Sequence, residues 1–313
     1  MILGKAFGDY RILARLNYGE SRCVCKALHS PRRQIYALAL LKAPPTLENP
    51  LQRIFLEQLE LAARVNHPGV GRVYPLETCG EMWGVPLEFV HGQTLSEKVR
   101  GGQSSLDFTL RIAIQAAEGL AWAHSIGLFH GRLTPECLVV SPEGELKILD
   151  FAMTFLPKEL ALSESEADIP FASQTPLKPG PPSMAYLPPG QMEGLPADAA
   201  SDLYSLGRIL YELLWGQFLV QSDDPRPIQQ QILEHDLPDL SEVRYEASTH
   251  WSKVLRKLTS NKPQERYPSA QALLEDLKRL RDGWPTPHLS FTQKNRPMSR
   301  RSFFLRFLRD EGK

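Results

Sequence analysis

The stretch from His124 to Ala152 constrains this chain more than any other. It runs His-Ser-Ile-Gly-Leu-Phe-His-Gly-Arg-Leu-Thr-Pro-Glu-Cys-Leu-Val-Val, passes a turn at Ser141-Pro142-Glu143-Gly144, and continues Leu-Lys-Ile-Leu-Asp-Phe-Ala. Proline and glycine mark the turn between two apolar runs. The stretch therefore reads as a helix end, a loop, a short apolar strand, a turn, and a second short strand that ends on an acid.

The remaining residues supply a frame for it. A chain of 313 residues with 42% hydrophobic content can bury a large core, as one two-lobed unit or two small domains. The formal net charge is zero, so no overall field favours nucleic acid or an anionic membrane as partner. Cys23, Cys25, Cys79 and Cys137 show no zinc-type spacing. Cys23 and Cys25 alternate like strand residues, a spacing that suits neither a disulfide nor CxxC chemistry, so reduced structural thiols in a cytoplasmic protein are expected. The first residues lack the apolar core of a signal peptide, and no apolar run reaches membrane-spanning length.

Alternation and strand formers predict strands at 10–16, 23–27, 34–41, 72–76 and 82–90. A helix is expected over 50–66, with Asn49 as cap, Pro50 at its first position, Gln52 completing a capping-box-like pair, and Ile54, Leu61, Ala62 and Val65 as its apolar stripe. Further helices are expected over 106–127, 200–215, 225–234, 249–259 and 269–281, the last capped by Ser269. Residues 156–182 are rich in serine and proline and poor in hydrophobic residues.

The central stretch resembles the eukaryotic-like (Hanks-type) Ser/Thr protein kinases. Their catalytic loop follows His-Arg-Asp-Leu-Lys-Pro-Glu-Asn and their metal loop Asp-Phe-Gly; this chain has His130-Gly131-Arg132-Leu133-Thr134-Pro135-Glu136-Cys137 and Asp150-Phe151-Ala152. The resemblance runs in order from Tyr10 to Asp282. It implies an α+β, bilobal, protein-kinase-like fold: a small lobe (10–88) with a five-stranded sheet and one helix, and a larger, mainly helical lobe (92–282). A Pro-broken tail at 283–313 follows, with basic and aromatic residues interleaved.

The resemblance also implies a role at each matched position. The turn at 17–22 stands where the family has its glycine-rich loop and keeps only Gly19 of three glycines; a lone glycine between strands is equally an ordinary hairpin turn. Ala39 stands at the strand lysine that holds the phosphates, and Gln58 at the helix glutamate that pairs with it. Lys42, three residues on, falls on the opposite strand face. Arg132 stands at the aspartate base, Thr134 at a further lysine and Cys137 at the metal-binding asparagine. Only Asp150 keeps its type, and it too can be read as an acid capping a turn. A guanidinium carries donors only and cannot take a proton from a hydroxyl, and a thiol is a poor ligand for Mg²⁺. Val24, Ala37 and Val139 match the residues that sandwich adenine, and Glu88 and Val90 lie in the hinge; small apolar residues there also simply fill a core. His130 and Phe151 are read as packing residues, and Asp202 as the brace of the catalytic loop. Gly190 replaces the glutamate of Ala-Pro-Glu, which leaves the late arginine, Arg266, needing another acceptor.

These replacements lead to the reading of a catalytically inactive protein-kinase-like domain, a pseudokinase that acts as an interaction or regulatory scaffold. Alternatives are a Ser/Thr kinase with unusual residues and residual activity, or a nucleotide-sensing switch without transfer. No cofactor is expected, ATP with Mg²⁺ binding weakly if at all. The expected partner is a protein, such as an active kinase or signalling protein, with no nucleic acid; the tail offers a docking element for a partner or a membrane surface. Residues 156–183 are expected to be mobile and to offer Ser163, Ser165, Ser173, Thr175 and Ser183 to other kinases. Arg132 and Asp150 are expected to close the cleft as an ion pair.

Overall fold

Period-two alternation in the first ninety residues produces an antiparallel sheet. The structure is a computed structural model and describes residues 6–16, 23–42, 44–80, 82–157, 159–161, 183–220, 230 and 249–289. Strands β1 (Ala6–Phe7), β2 (Tyr10–Leu16), β3 (Val24–His29), β4 (Gln34–Leu41), β5 (Glu77–Cys79) and β6 (Met82–Glu88) form one sheet in the order β1-β2-β3-β4-β6-β5. Among the described residues it thus has six strands, not five. Ala6–Phe7 pairs with the start of β2 ahead of the first expected strand. Residues 72–76 do not form a strand: a single bridge joins Val73 to Leu87, and pairing resumes at Glu77–Cys79. Pro75 has no N–H to donate, so the ladder cannot continue through it.

Helix α1 (Pro50–Ala63) puts Phe55, Leu59 and Ala62 into the same buried cluster as Ala39 and Leu41 of β4, and Asn49 caps it by accepting from the amides of Leu51 and Gln52. Gln52 does not complete a capping box; its side-chain oxygen accepts from the Thr46 amide at 2.8 Å, and the residue is buried. The face turned to the core carries Phe55, Leu59 and Ala62, while Ile54 is 42% exposed. Of the expected stripe, Ala62 and Val65 are buried and Leu61 is half-buried against the core, but Phe55 takes the inward place expected for Ile54, one residue on a helix being a rotation of about 100°.

The large lobe is built on α2 (Leu95–Arg100), α3 (Leu106–Ser125), α4 (Pro189–Met192), α5 (Ala199–Trp215), α6 (Thr249–Leu258) and α7 (Ala270–Arg281). A small sheet of β7 (Gln93–Thr94), β8 (Leu138–Val140) and β9 (Leu146–Ile148) sits where the lobes meet. One cluster of buried side chains runs from Val24 and Ala39 in the small lobe to Leu277 in the large one. Except for Gln230, the helix expected at 225–234 lies outside the described residues.

Every residue of α5 from Ser201 to Leu214 is buried. A helix enclosed on all sides must satisfy its polar groups internally. An Asp198–Ser201 capping box starts it, and Gly216, at φ 78°, ends it. That left-handed residue must be glycine, because a Cβ there would lie 2.3 Å from the amide nitrogen of Gln103. The Ser205 hydroxyl donates to the Tyr186 carbonyl at 2.8 Å.

Glu212, on the same helix, accepts from the Tyr186 hydroxyl at 2.8 Å and from the Leu219 amide at 2.9 Å. Burial pushes its carboxyl up from 4.5 to about 7. Between those values the folded protein holds a proton that the unfolded chain has released, so stability falls as pH rises through that window. This group alone is expected to remove about 3 kcal/mol between its two pKa values. Glu212→Gln mimics the protonated form, its amide donating to the Tyr186 oxygen. The variant should lose that slope in urea unfolding at successive pH values; an unchanged slope would remove Glu212 as its source.

Candidate active site

The loop His130–Cys137 is positioned by one buried carboxylate. Asp202, 1% exposed, accepts from the amide of His130 (2.8 Å), the amide of Gly131 (2.8 Å) and the ring of His124 (2.9 Å). The His130 ring bonds to the Leu149 carbonyl at 2.9 Å and meets Phe151 edge-on at 5.1 Å. Gly131 stands at φ 77°, where a Cβ would press on that of Ala197 at 3.0 Å; its carbonyl accepts from the Gln191 side chain at 2.9 Å. The loop is thus fixed at both backbone and side chain.

The side chains it presents at the matched positions are a guanidinium, a hydroxyl and a thiol. Arg132 is exposed, and Thr134 and Cys137 are buried. The Cys137 thiol lies 3.5 Å from the Thr134 hydroxyl and 3.9 Å from an Asp150 oxygen. Burial, followed by the charge of Asp150, pushes it up to about 12, so it stays a neutral thiol. A magnesium ion would meet one carboxylate, Asp150, and that thiol, a donor set that does not fit a hard cation. Among the described residues no cluster of three metal-ligating side chains occurs.

The expected Arg132–Asp150 pair is not formed. Among the described residues no ion pair joins them, and the Asp150 carboxylate lies instead against Cys137. Asp150 has φ 66°, a left-handed backbone conformation that side chains of this hand rarely adopt. Ala152 also has φ 66°, a conformation that is strained for alanine.

Across the cleft, Ala39 is 1% exposed and pairs with Val24 and Val85 in the sheet. Gln58 is half-buried, and its side-chain oxygen is buried without a partner. Val24, Ala37 and Val139 are all buried, and Val90 is half-buried. The Glu88 carboxylate accepts from Lys147 at 2.8 Å and from the Arg72 amide at 2.9 Å, joining the hinge to β9. Behind it, the space lined by Ala37, Val73, Leu87, Glu88, Leu149 and Asp150 measures about 10 Å³, room for about one water. The chain after Asp150 also folds back on the small lobe. A tight turn, Met153–Phe155, packs on α1, the Lys42 amide donates to the Leu160 carbonyl at 2.9 Å, and Leu41 bridges Ala161. Leu160 and Ala161 are buried, so this segment is packed at its start, contrary to the mobility expected from residue 156.

Ser183 opens a short helical turn, Ser183–Tyr186. Gly19, Ser163, Ser165, Ser173, Thr175 and tail residues 290–313 lie outside the described residues. Arg266 bonds to two carbonyls, those of Ser260 (2.8 Å) and Ala200 (3.0 Å). Sequence reasoning missed His124, Lys147 and Glu212. Each depends on a partner far along the chain, and the apolar pattern around each marks only a buried element.

Residues 10–277 match the model of the protein kinase domain. A probable serine/threonine-protein kinase of Clostridium acetobutylicum is 23% identical over 91% of this chain and 42% of its own length. The serine/threonine-protein kinase PknB of Mycobacterium leprae is 28% identical over 80% of this chain and 39% of its own. The chain therefore spans about two fifths of the length of these curated relatives. The crystal structure of the Mycobacterium tuberculosis PknI kinase domain superposes with a TM-score of 0.65 at 20% identity, covering 89% of this chain and 98% of that one; at that identity the likeness speaks for the fold. Among the described residues no helix is long and apolar enough to cross a membrane. With more than four fifths of its length on the family model, the chain belongs to the protein kinase domain family, among the eukaryotic-like serine/threonine kinases.

Proposed function

We propose that this chain is a kinase-fold module that does not transfer phosphate and works in the cytoplasm by binding a protein, such as an active kinase or signalling protein. The observation that carries this reading is the joint state of three positions: a buried alanine at Ala39, a guanidinium at Arg132 and a neutral thiol at Cys137. Phosphoryl transfer relies on positioned charge around the phosphates and metal, and these three side chains supply no base, no metal ligand and no lysine. The intact Asp202 scaffold supports a loop kept for its shape. Calorimetric titration of ATP with and without Mg²⁺ tests the reading. Weak or undetectable binding, equal in both conditions, is expected; a low-micromolar affinity that requires Mg²⁺ would overturn it.

A second reading, a serine/threonine kinase with unusual residues and residual activity, is favoured by the relatives, which are described as serine/threonine-protein kinases. Asp150, with its side chain facing the loop, is the one residue of matching type on which such activity would turn. The Mg²⁺ dependence of that titration separates the two readings.

A further inference from the structure

Alternation along the strands of the small lobe sends Val24, Ala37 and Ala39 to one face of the sheet and Cys23, Cys25, Leu38 and Leu40 to the other. On that second face the four form a separate buried cluster with Tyr10, Ile12 and Tyr36. Cys23 and Cys25 therefore point the same way. Their sulfurs stand 3.6 Å apart, at 1% and 0% exposure. The Leu40 amide donates to the Cys23 carbonyl at 3.2 Å, so the ladder holds the backbone extended through both residues. Extended chain advances about 3.4 Å per residue, which sets the two Cα atoms roughly 7 Å apart, at the limit of what a disulfide spans. Both thiols are free, and the strand holds them as an open pair.

Arg15 of β2 stands opposite Cys25 in the ladder and is 8% exposed. Cross-strand partners share a face, so its side chain leaves the sheet on the side of the sulfurs. Contact with Cys23 and burial hold the Cys25 thiol well above its ordinary range, while the Arg15 charge acts the other way. Thiols kept protonated are poor nucleophiles, and a ligand for this pair must displace their protons. Thiolate sulfur selects soft ions such as Cu(I). Zinc asks for four ligands, and His29, the next candidate on this face, lies roughly 13 Å along the strand from Cys25. Among the described residues no third metal-ligating side chain joins the two thiols.

We propose that Cys23 and Cys25 form a two-coordinate site for Cu(I), with Arg15 as its counter-charge. Binding replaces two S–H bonds by two S–Cu bonds and releases two protons, with no change of oxidation state. The bis-thiolate complex carries one net negative charge, which the neighbouring guanidinium offsets. With each half taken as a zinc–thiolate bond, a linear S–Cu–S unit spans roughly 4.6 Å, so side-chain rotation must part the sulfurs by about 1 Å. The ion ties the start of β3 into the second core, so the stability of the small lobe follows Cu(I) supply. The proposal goes beyond the kinase-fold reading and does not depend on whether the cleft is silent.

The test is an anaerobic titration of the full, reduced chain with Cu(I) held by bicinchoninate, a competing chelator. Both thiols are covered in the folded protein, so uptake is read at equilibrium. One equivalent per chain is expected, with two sulfur neighbours in its X-ray absorption and an affinity that rises about 100-fold per pH unit as two protons are displaced. Cys79→Ala/Cys137→Ala, whose remaining thiols are Cys23 and Cys25, should keep the full equivalent and the same neighbours. Cys23→Ala should weaken uptake at least about 100-fold. No uptake by the wild type in competition, uptake lost from the folded double variant, or uptake unchanged in Cys23→Ala would overturn the proposal. The double variant leaves the site untouched, so the test stands even where Cys23→Ala fails to fold.

Discussion

Incubated with γ-labelled ATP and Mg²⁺, the purified protein is expected to incorporate no phosphate into itself or into generic basic substrates, at a level equal to that of Asp150→Ala. A positioned base contributes about 10²–10⁴-fold to such reactions, and removing one preorganised charged group commonly costs about 10²–10³. On the proposed reading, the strand lysine, the base and the second metal ligand are replaced at once, by Ala39, Arg132 and Cys137. Arg132 adds more than a loss, since its charge is permanent and it has no lone pair with which to take the hydroxyl proton. Groups that act as a unit are non-additive. Reverting Ala39→Lys, Arg132→Asp or Cys137→Asn singly should therefore leave transfer at background, and any recovery should need all three. Label incorporated by the unaltered protein and abolished by Asp150→Ala would sink the silent reading in favour of the active one.

Much of the fold could be read from the sequence, because its signals are local. The cap at Asn49, the Ser269 cap of α7, the alternation of β2 and β3 and the strand formers of β4 each lie within a few residues and act on the backbone directly. Where the pattern was ambiguous, the reading slipped. On α1, Ile54 and Phe55 are adjacent and equally apolar, and only packing decides that Phe55 is the buried one. The two-residue strand β1 is too short to show periodicity at all. The site was less legible for a different reason. Residue types can be matched to a motif, but torsions cannot. The φ of 66° at Asp150 sends its carboxylate toward Cys137, and nothing in the string Leu-Asp-Phe-Ala announces that turn. The Lys147–Glu88 link spans 59 positions and the His124–Asp202 contact 78, separations at which sequence alone carries no geometric information.

Asp202→Ala is expected to destabilise the fold by about 3–5 kcal/mol, the range for stranding the partners of a buried charged group. Its two oxygens receive three donors: one takes the Gly131 amide, and the other takes the His130 amide and the His124 ring. Alanine removes the acceptor of both amides. The His124 ring, whose Nδ1 is already buried without a partner, would lose its remaining contact of this kind. Asp202→Asn has the same shape but does not escape. Because each oxygen accepts a backbone N–H, the amide must turn its NH₂ toward one of them, so about 2 kcal/mol should still be lost. The damage should be local before it is global. Urea unfolding measures the total, while amide exchange at His130 and Gly131 should accelerate first, ahead of the α5 amides around Leu206. A loss below about 1 kcal/mol for Asp202→Ala, or exchange at the loop no faster than in the wild type, would mean that the loop holds its shape without this carboxylate.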